Sequence, residues 1–533
     1  MNPRVGEHPT RGVARSAAGM ICTPHPAASI AGLDVLRRGG TAVDAAVAAN
    51  AVLAVVYPAS CGIGGDAFWL IYEPRTREVV AYNGSGRAAA ALHGAQLRER
   101  GLSEMPIRGG LSVTVPGAVR SWEDALRAHG RFGLDELLAP AEACARDGFV
   151  ATDVVANYFA INQAVLRADA EAVALFFENG TPRAGDVLVN YPLADSLAAI
   201  RQRGADAVYT GPIAESIAST LAALGNPMTP GDLAGHHTER ATPLSIGWNG
   251  AEIFAHPPNS QSAVALIVLG ALVNDGAAGD LEWTHLAIEA VKLAFDARNA
   301  RFADPTAMAR PIDDLLTPAA LAALRARIDS ARTRPRRHVP DRGGTIGITA
   351  VDADGRAVSL IESLYMNFGS GIIARGTGIF LQNRGAYFSL EPGHPNELAG
   401  GKRPLHTLAP GMLLRDGVPE FVYGSMGGDG QPQTHAQLIH GVYERGLSVQ
   451  QAIDAPRFCY GRDSERALAD AVLVESRFDP RVVAGLRARG HVVEVLGPYE
   501  NALGHAHAIS IDRARGTLAG GSDPRADGVA LGL

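Results

Sequence analysis

The sequence predicts a large globular α/β protein, and three observations carry that expectation. Its 533 residues are 47% hydrophobic and only 19% charged, enough apolar material for a sizeable buried core. Alanine- and leucine-rich segments of helical period recur along the chain, with β-rich runs bounded by turn signals between them. The longest apolar run, Ala45 to Tyr57, contains Asn50 and is too short to cross a bilayer, so it reads as a buried helix. Length alone leaves open several domains, one layered body or two interlocked halves.

Taken in order, the N-terminus MNPRVGEHPTRGVARSAAGMICTPHP lacks the uninterrupted apolar stretch of a secretory signal, and a cytoplasmic protein is expected. Ala27 to Arg38 spaces Ile30, Leu33 and Leu36 along one helical face and stops at Gly39-Gly40. Thr41 then reads as the N-cap of the next helix, which closes at Tyr57-Pro58. The loop Ser60-Cys61-Gly62-Ile63-Gly64-Gly65-Asp66 is dense in glycine, which lets backbones approach closely. Ala67 to Tyr72 and Glu78 to Tyr82 form a strand pair around the polar turn Glu73 to Arg77. Trp122 to about Arg240 is mainly helical. Arg332 to Gly344 is basic, contains two prolines and has no apolar period, which marks an exposed linker. Thr345 to Asp352 and Ala357 to Ser363 follow as a hairpin around Asp354-Gly355, so Thr345 begins a strand.

Several function classes drop out. A formal net charge of −7 with no long basic run is not the footprint of a nucleic-acid binder. Cys22, Cys61, Cys144 and Cys459 are too scattered for a disulfide framework or a zinc site and read as structural thiols. His505 and His507 alternate on a strand, as ordinary sheet residues also do, and neither a metal nor a cofactor is expected. Gly84 to Ala89 fits G-x-G-x-x-A, but no βαβ unit with a ribose-binding acid follows it. The chain has no H-E-x-x-H, no phosphate-binding G-x-x-x-x-G-K-[ST] and no G-x-S-x-G elbow. Small-molecule chemistry remains, with no membrane partner.

The runs SCGIGGD (60–66), VPG (115–117), TIGITAVDADGRAVSL (345–360), FGSGI (368–372), KRPLHTLAP (402–410), YGSMGGDGQPQ (423–433), DAPRF (454–458) and SDPRADG (522–528) resemble, in the same order, signatures of the γ-glutamyltranspeptidase family. That resemblance spans nearly the whole chain. It implies a four-layer αββα sandwich of the N-terminal-nucleophile (Ntn) hydrolase type. It also implies a precursor cut between Gly344 and Thr345 into a large subunit, 1–344, and a small subunit, 345–533, which pair with each other; an oligomer of that heterodimer stays open. Thr345 would be the nucleophile, because a threonine hydroxyl is weak without a neighbouring base and a freed α-amine supplies one on the same residue. Such an amine titrates near 7.7–8.0, suited to moving a proton both ways. Gly427 and Gly428 match the oxyanion-hole pair, whose backbone N–H groups side chains would obstruct. Ser363 falls where the family places a hydroxyl that orients the nucleophile. Without the resemblance, Thr345 is a β-branched strand residue and Gly427-Gly428 a glycine turn.

The sequence departs from the family where a γ-glutamyl group would be held. Ser85 stands at the carboxylate-binding arginine, Tyr387 at the acidic position, Arg384 at a glutamine, Tyr365 at an asparagine and His406, beside Thr407, at a serine. Gly347 replaces a histidine and Ile346 a threonine near the nucleophile. Losing the acid that meets an ammonium while gaining a cation favours an anionic amide without an α-amine. Arg87 and Arg384 are the candidate carboxylate clamps, and Tyr365, Tyr387, His406 and Thr407 complete the expected substrate site. The signatures are most similar to those of the oxamate-amidohydrolase branch, and the short stretch from Phe388 to Lys402 favours water as acceptor. Two alternatives stay open: a hydrolase or transferase of γ-glutamyl donors such as glutathione, and a cofactor-binding or non-catalytic relative.

Overall fold

The computed structural model describes residues 11–334, 343–461 and 470–533. Two seven-stranded sheets form its centre. The first runs, edge to edge, Val529–Gly532, Met20–Thr23, Gly344–Val351, Ala357–Tyr365, Asp66–Glu73, Glu78–Gly84 and Glu239–Ala241. The second runs Ala14–Ser16, Thr517–Ser522, Ala506–Asp512, Val418–Ser425, Gly411–Arg415, Ala251–Ala255 and Leu244–Trp248. Neighbours in both are antiparallel.

Three apolar layers hold these sheets between helices. Met20, Leu70, Tyr72 and Val351 of the first sheet meet Met412, Val422, Ile509 and Leu518 of the second. The outer face of the first sheet, with Ile71, Ile346 and Leu360, packs on the helices Pro26–Arg37 and Ala42–Val56. That of the second, with Ile253, Leu413 and Phe421, packs on Ala263–Ala271, Asp280–Arg301 and Gln431–Ile439. The result is the four-layer αββα sandwich, and a strand with apolar residues on both faces is what such a double-covered sheet requires.

Local chemistry explains the helices that carry the site. Thr41 caps Ala42–Val56 by accepting from Asp44 N at 3.2 Å while Asp44 Oδ2 accepts from Thr41 N at 2.7 Å, a reciprocal capping box. All fifteen residues of that helix are buried, and alanine at most inward turns lets it lie between layers. The preceding helix corrects the expected stripe. Ile30 is 59% exposed, and the buried face is Ala28, Ala31, Gly32, Val35 and Leu36. A β-carbon on Gly32 would lie 2.2 Å from Ile21 Cδ1 and 3.0 Å from Ala45 O, so close helix approach through small residues outweighs the larger apolar side chains. The span from Trp122 to Arg240 is mainly helical, with the short ribbon Phe149–Val150 and Val187–Leu188 inserted. After Gly84 the chain continues without a helix, so Gly84–Ala89 does not form a dinucleotide-binding turn. All four cysteines are free, and among the described residues no helix is long and apolar enough to cross a membrane.

Most of the expected linker, 335–342, lies outside the described residues, but both its ends are tied down. Thr333 and Arg334 are held by Glu289 and Lys292, and Gly344 is already in the central strand, one residue earlier than the sequence implies. That strand pairs with Met20–Thr23 on one side and with Ala357–Tyr365 on the other. Segments on both sides of Gly344 are thus woven into each sheet.

The sheets approach closely at Gly347. A β-carbon there would lie 3.3 Å from Gly424 C, 3.4 Å from Ser425 N and 3.4 Å from Ile361 Cδ1. The contact suits a glycine at this position. Gly347→His is expected to lower stability by about 1–3 kcal/mol through overpacking, read as a lower denaturation midpoint, with Gly347→Ala losing much less. A histidine variant as stable as the parent would show that the sheets separate freely here.

Candidate active site

The register between Gly344–Val351 and Ala357–Tyr365 slips at one end: Gly344 pairs with Tyr365, but Ile346 pairs with Glu362. Thr345 therefore faces two residues, Ser363 and Leu364, in a bulge that re-aims side chains. Tyr365 sits at φ +77°, a left-handed conformation uncommon for an aromatic residue. Ser363 Oγ stabilises the bend by accepting from Tyr365 N at 2.7 Å. The same hydroxyl donates to Gly344 O at 2.5 Å. Thr345 Oγ1 lies 2.7 Å from Gly344 O and 3.1 Å from Ser363 Oγ, and Thr345 is only 1% exposed. A hydroxyl, the carbonyl directly upstream and a second hydroxyl that polarises that carbonyl are thus assembled inside a sheet.

Behind them, Glu362 explains the glycine loop. Its carboxyl accepts from Gly62 N at 3.2 Å and from Asn50 Nδ2 at 3.1 Å. A β-carbon on Gly65 would lie 2.3 Å from Glu362 Oε1, and one on Gly64 would lie 2.1 Å from Phe380 O. Burial pushes the Glu362 carboxyl up to about 8, with the hydrogen bonds from Asn50 and Gly62 pulling the other way.

The strand Val418–Ser425 packs across the strand Gly344–Val351 and leads into Gly427 and Gly428, at φ +140° and +52°. Among the described residues neither of their N–H groups donates to another protein group, as an anion-binding turn requires. Gln261 Nε2 donates to Gly428 O at 2.9 Å and to Thr407 O at 3.0 Å. Thr407 Oγ1 accepts from Arg384 Nη1 at 3.1 Å, and the Arg384 guanidinium lies over the Tyr365 ring, 4.0 Å from its centre. Tyr365 meets Tyr387 edge to face, and Tyr387 OH donates to Asp429 Oδ1 at 3.2 Å. Thr345, Ser363, Tyr365, Arg384, Tyr387, Thr407, Gly427 and Gly428 are therefore linked through a continuous set of contacts. His406 is fully buried behind them, its Nε2 3.2 Å from Asp66 Oδ2. Arg87 is the expected site residue that the structure does not bring into this set. Its guanidinium is taken up by Glu239 at 2.8 Å, Asp304 at 3.2 Å and Gly401 O at 3.0 Å.

Besides Glu362, the groups Asp66, Asp429, Arg298 and Gln261 line this neighbourhood, and no sequence motif assigns them a role. Asp66 accepts from Gly86 N and Gly117 N, both at 3.1 Å, and burial pushes it up to about 7 against the pull of Arg384. Asp429 is bound by Arg298, from Nη1 to Oδ1 and from Nη2 to Oδ2 at 3.2 Å, and Arg298 Nη1 also donates to Gln261 Oε1. Asp66 and Asp429 do stand beside recognisable glycines, but Arg298 ends a helix whose DARNAR run reads as a solvent face.

The chain is also similar to known proteins. The γ-glutamyltranspeptidase family model matches residues 28–533. The glutathione hydrolase-like YwrD proenzyme of Bacillus subtilis is 39% identical, covering 96% of this chain and 98% of its own. The oxamate amidohydrolase proenzyme of Klebsiella pneumoniae is 40% identical, covering 97% and 99%. The crystal structure of a cephalosporin acylase from Bacillus halodurans superposes with a TM-score of 0.92 at 34% identity, over 100% of this chain and 99% of that one.

The Glu362 carboxyl sets a pH dependence. The fold favours its neutral form, so that contribution is complete below the ordinary carboxyl value of 4.5 and is lost as pH rises toward about 8. Denaturation midpoints are expected to fall across this window. Glu362→Gln, which keeps a neutral acceptor for Gly62 N, should flatten the profile and raise stability at its alkaline end. An unchanged slope in that variant would remove Glu362 as the source.

Proposed function

The chain belongs to the γ-glutamyltranspeptidase family and is one of its hydrolases; we propose that it is cut between Gly344 and Thr345 and that Thr345 then hydrolyses small anionic amides of the oxamate kind. The observation that carries this reading is the placement of Thr345 Oγ1 2.7 Å from Gly344 O, with Ser363 donating to the same oxygen. In maturation, Thr345 Oγ1 attacks the Gly344 carbonyl carbon, and Ser363 stabilises the negative charge on Gly344 O. The C–N bond breaks, the nitrogen takes the hydroxyl proton, and water hydrolyses the resulting ester. The products are 1–344, ending in a carboxylate, and 345–533, beginning with a free amine. The interwoven sheets keep the two pieces together as subunits.

In turnover the new α-amine accepts the Thr345 hydroxyl proton as Oγ1 attacks the substrate amide. The N–H groups of Gly427 and Gly428 receive the oxyanion, ammonia leaves with the proton carried by the amine, and water releases the acid from the acyl-enzyme. Arg384 supports an anionic substrate, since its guanidinium is buried between the Thr407 hydroxyl and the Tyr365 ring, and its planar fork suits a carboxylate. A carboxylate placed against that guanidinium would make paired, charge-assisted hydrogen bonds.

The γ-glutamyl reading has one structural argument in its favour: Asp429 beside Tyr387 restores an acid near the position where relatives bind an α-amine. Arg298 opposes it, because its paired contacts with Asp429 spend the charge that an ammonium would need.

Denaturing mass spectrometry should find a fragment beginning at Thr345 in the parent protein and an intact chain in Thr345→Ala. Ser363→Ala should slow that cleavage by about 10²-fold, as for loss of one oxyanion donor. The processed enzyme should release ammonia from oxamate and leave a γ-glutamyl anilide nearly untouched; rapid anilide turnover with inert oxamate would reverse the substrate assignment.

A further inference from the structure

Two consecutive glycines at positive φ have no side chains with which to hold their own N–H groups in place, and glycine loses the most conformational freedom on ordering. An oxyanion site works only when its donors are already fixed, because reorienting them during reaction consumes the stabilisation they give. The order of Gly427 and Gly428 must therefore come from what grips the chain next to them. Three contacts do so. Gln261 holds Gly428 O, Gln433 Nε2 donates to Asp429 O at 3.1 Å, and Arg298 grips the Asp429 carboxylate with two nitrogens while also bonding Gln261 Oε1. Arg298 and Asp429 are both almost fully buried, so their attraction is little screened by solvent. The planar guanidinium fixes orientation as well as distance, which an ammonium does not.

We propose that Arg298 is a positioning residue for the oxyanion turn: through Asp429 and Gln261 it sets the direction of the Gly427 and Gly428 N–H groups, and it acts on substrate turnover rather than on self-cleavage. The separation follows from the donors. Gly344 O, the oxygen charged during maturation, is already held by Ser363, whereas the oxygen charged during turnover depends on the glycine turn. Tyr387 OH, on the far side of Asp429, ties the same carboxylate to the Tyr365 and Arg384 side of the pocket. This inference rests on Gly427 and Gly428 being the turnover donors.

The test is Arg298→Met combined with Asp429→Asn, which leaves no unpaired buried charge. Self-cleavage should stay within a few-fold of the parent. Per cleaved molecule, kcat for oxamate should fall by about 10²-fold with KM within about threefold, the signature of stabilisation lost only in the transition state. Arg298→Lys should restore only part of kcat. Cleaved double variant with kcat within twofold of the parent would overturn the proposal, as would a loss confined to KM. Should the double variant fail to accumulate, Gln261→Leu keeps both charges but loses the amide on Gly428 O, and an unchanged kcat there overturns it equally. A parent protein that neither cleaves itself nor releases ammonia would instead undo the proposed function on which this rests.

Discussion

The bond between Gly344 and Thr345 lies inside a β-sheet, not in a loop, and the rest of the site follows from that constraint. A strand in the middle of a seven-stranded sheet has its neighbours on both sides fixed by backbone hydrogen bonds, so a hydroxyl on it has a defined relation to whatever the next strand presents. The bulge opposite Thr345 uses this rigidity. By placing Ser363 and Leu364 against a single residue and turning Tyr365 to positive φ, it brings the Ser363 hydroxyl onto Gly344 O. The same placement reconciles cutting the chain with keeping the fold. Met20–Thr23 pairs with Gly344–Val351, Asp66–Glu73 with Ala357–Tyr365 and Ala251–Ala255 with Gly411–Arg415, so a break at one peptide bond leaves ladders intact across it.

Charge in the interior is divided between two arginines with different balances. Arg298 is matched by Asp429 at close range on two nitrogens, and a matched pair of this kind is structural: removing one partner costs about 3–5 kcal/mol, because the other charge is left without water. Arg384 sits in different surroundings. Its guanidinium meets the Thr407 hydroxyl and the face of the Tyr365 ring, and the carboxyl that attracts it, Asp66, is raised by burial.

What the sequence made legible was local chemistry. The Thr41 cap and the Asp354-Gly355 hairpin depend on a few adjacent residues, and each appears where its pattern places it. Misreadings arose where a distant surface decided the outcome. Ile30 is exposed because Gly32 lets the helix approach Ala45 and Ile21 on another face, which periodicity cannot weigh. Arg87 pairs with Glu239 and Asp304, residues 152 and 217 positions away, and nothing in NGSGRAA announces them. Glu362 looks like an alternating polar strand residue, yet a double-covered sheet has no wet face, so its carboxyl is taken up by Gly62 and Asn50.

One helix joins these themes. Asp280–Arg301 carries Glu289 and Lys292 in its middle and Arg298 near its end. Glu289 accepts from Thr333 Oγ1 at 2.7 Å and from Arg334 N at 3.0 Å, while Lys292 donates to Thr333 Oγ1 at 2.7 Å and to Arg334 O at 2.9 Å. A buried lysine and glutamate are costly to desolvate and become tolerable only when their remaining donors and acceptors are met. Here the chain approaching the Gly344–Thr345 bond meets them. The same rigid rod that anchors that chain therefore also braces the turn carrying Gly427 and Gly428. Because a helix transmits position along its axis without bending at well-packed residues, the end of one chain segment and the Gly427-Gly428 turn share a single reference frame even though no hydrogen bond described between them is direct.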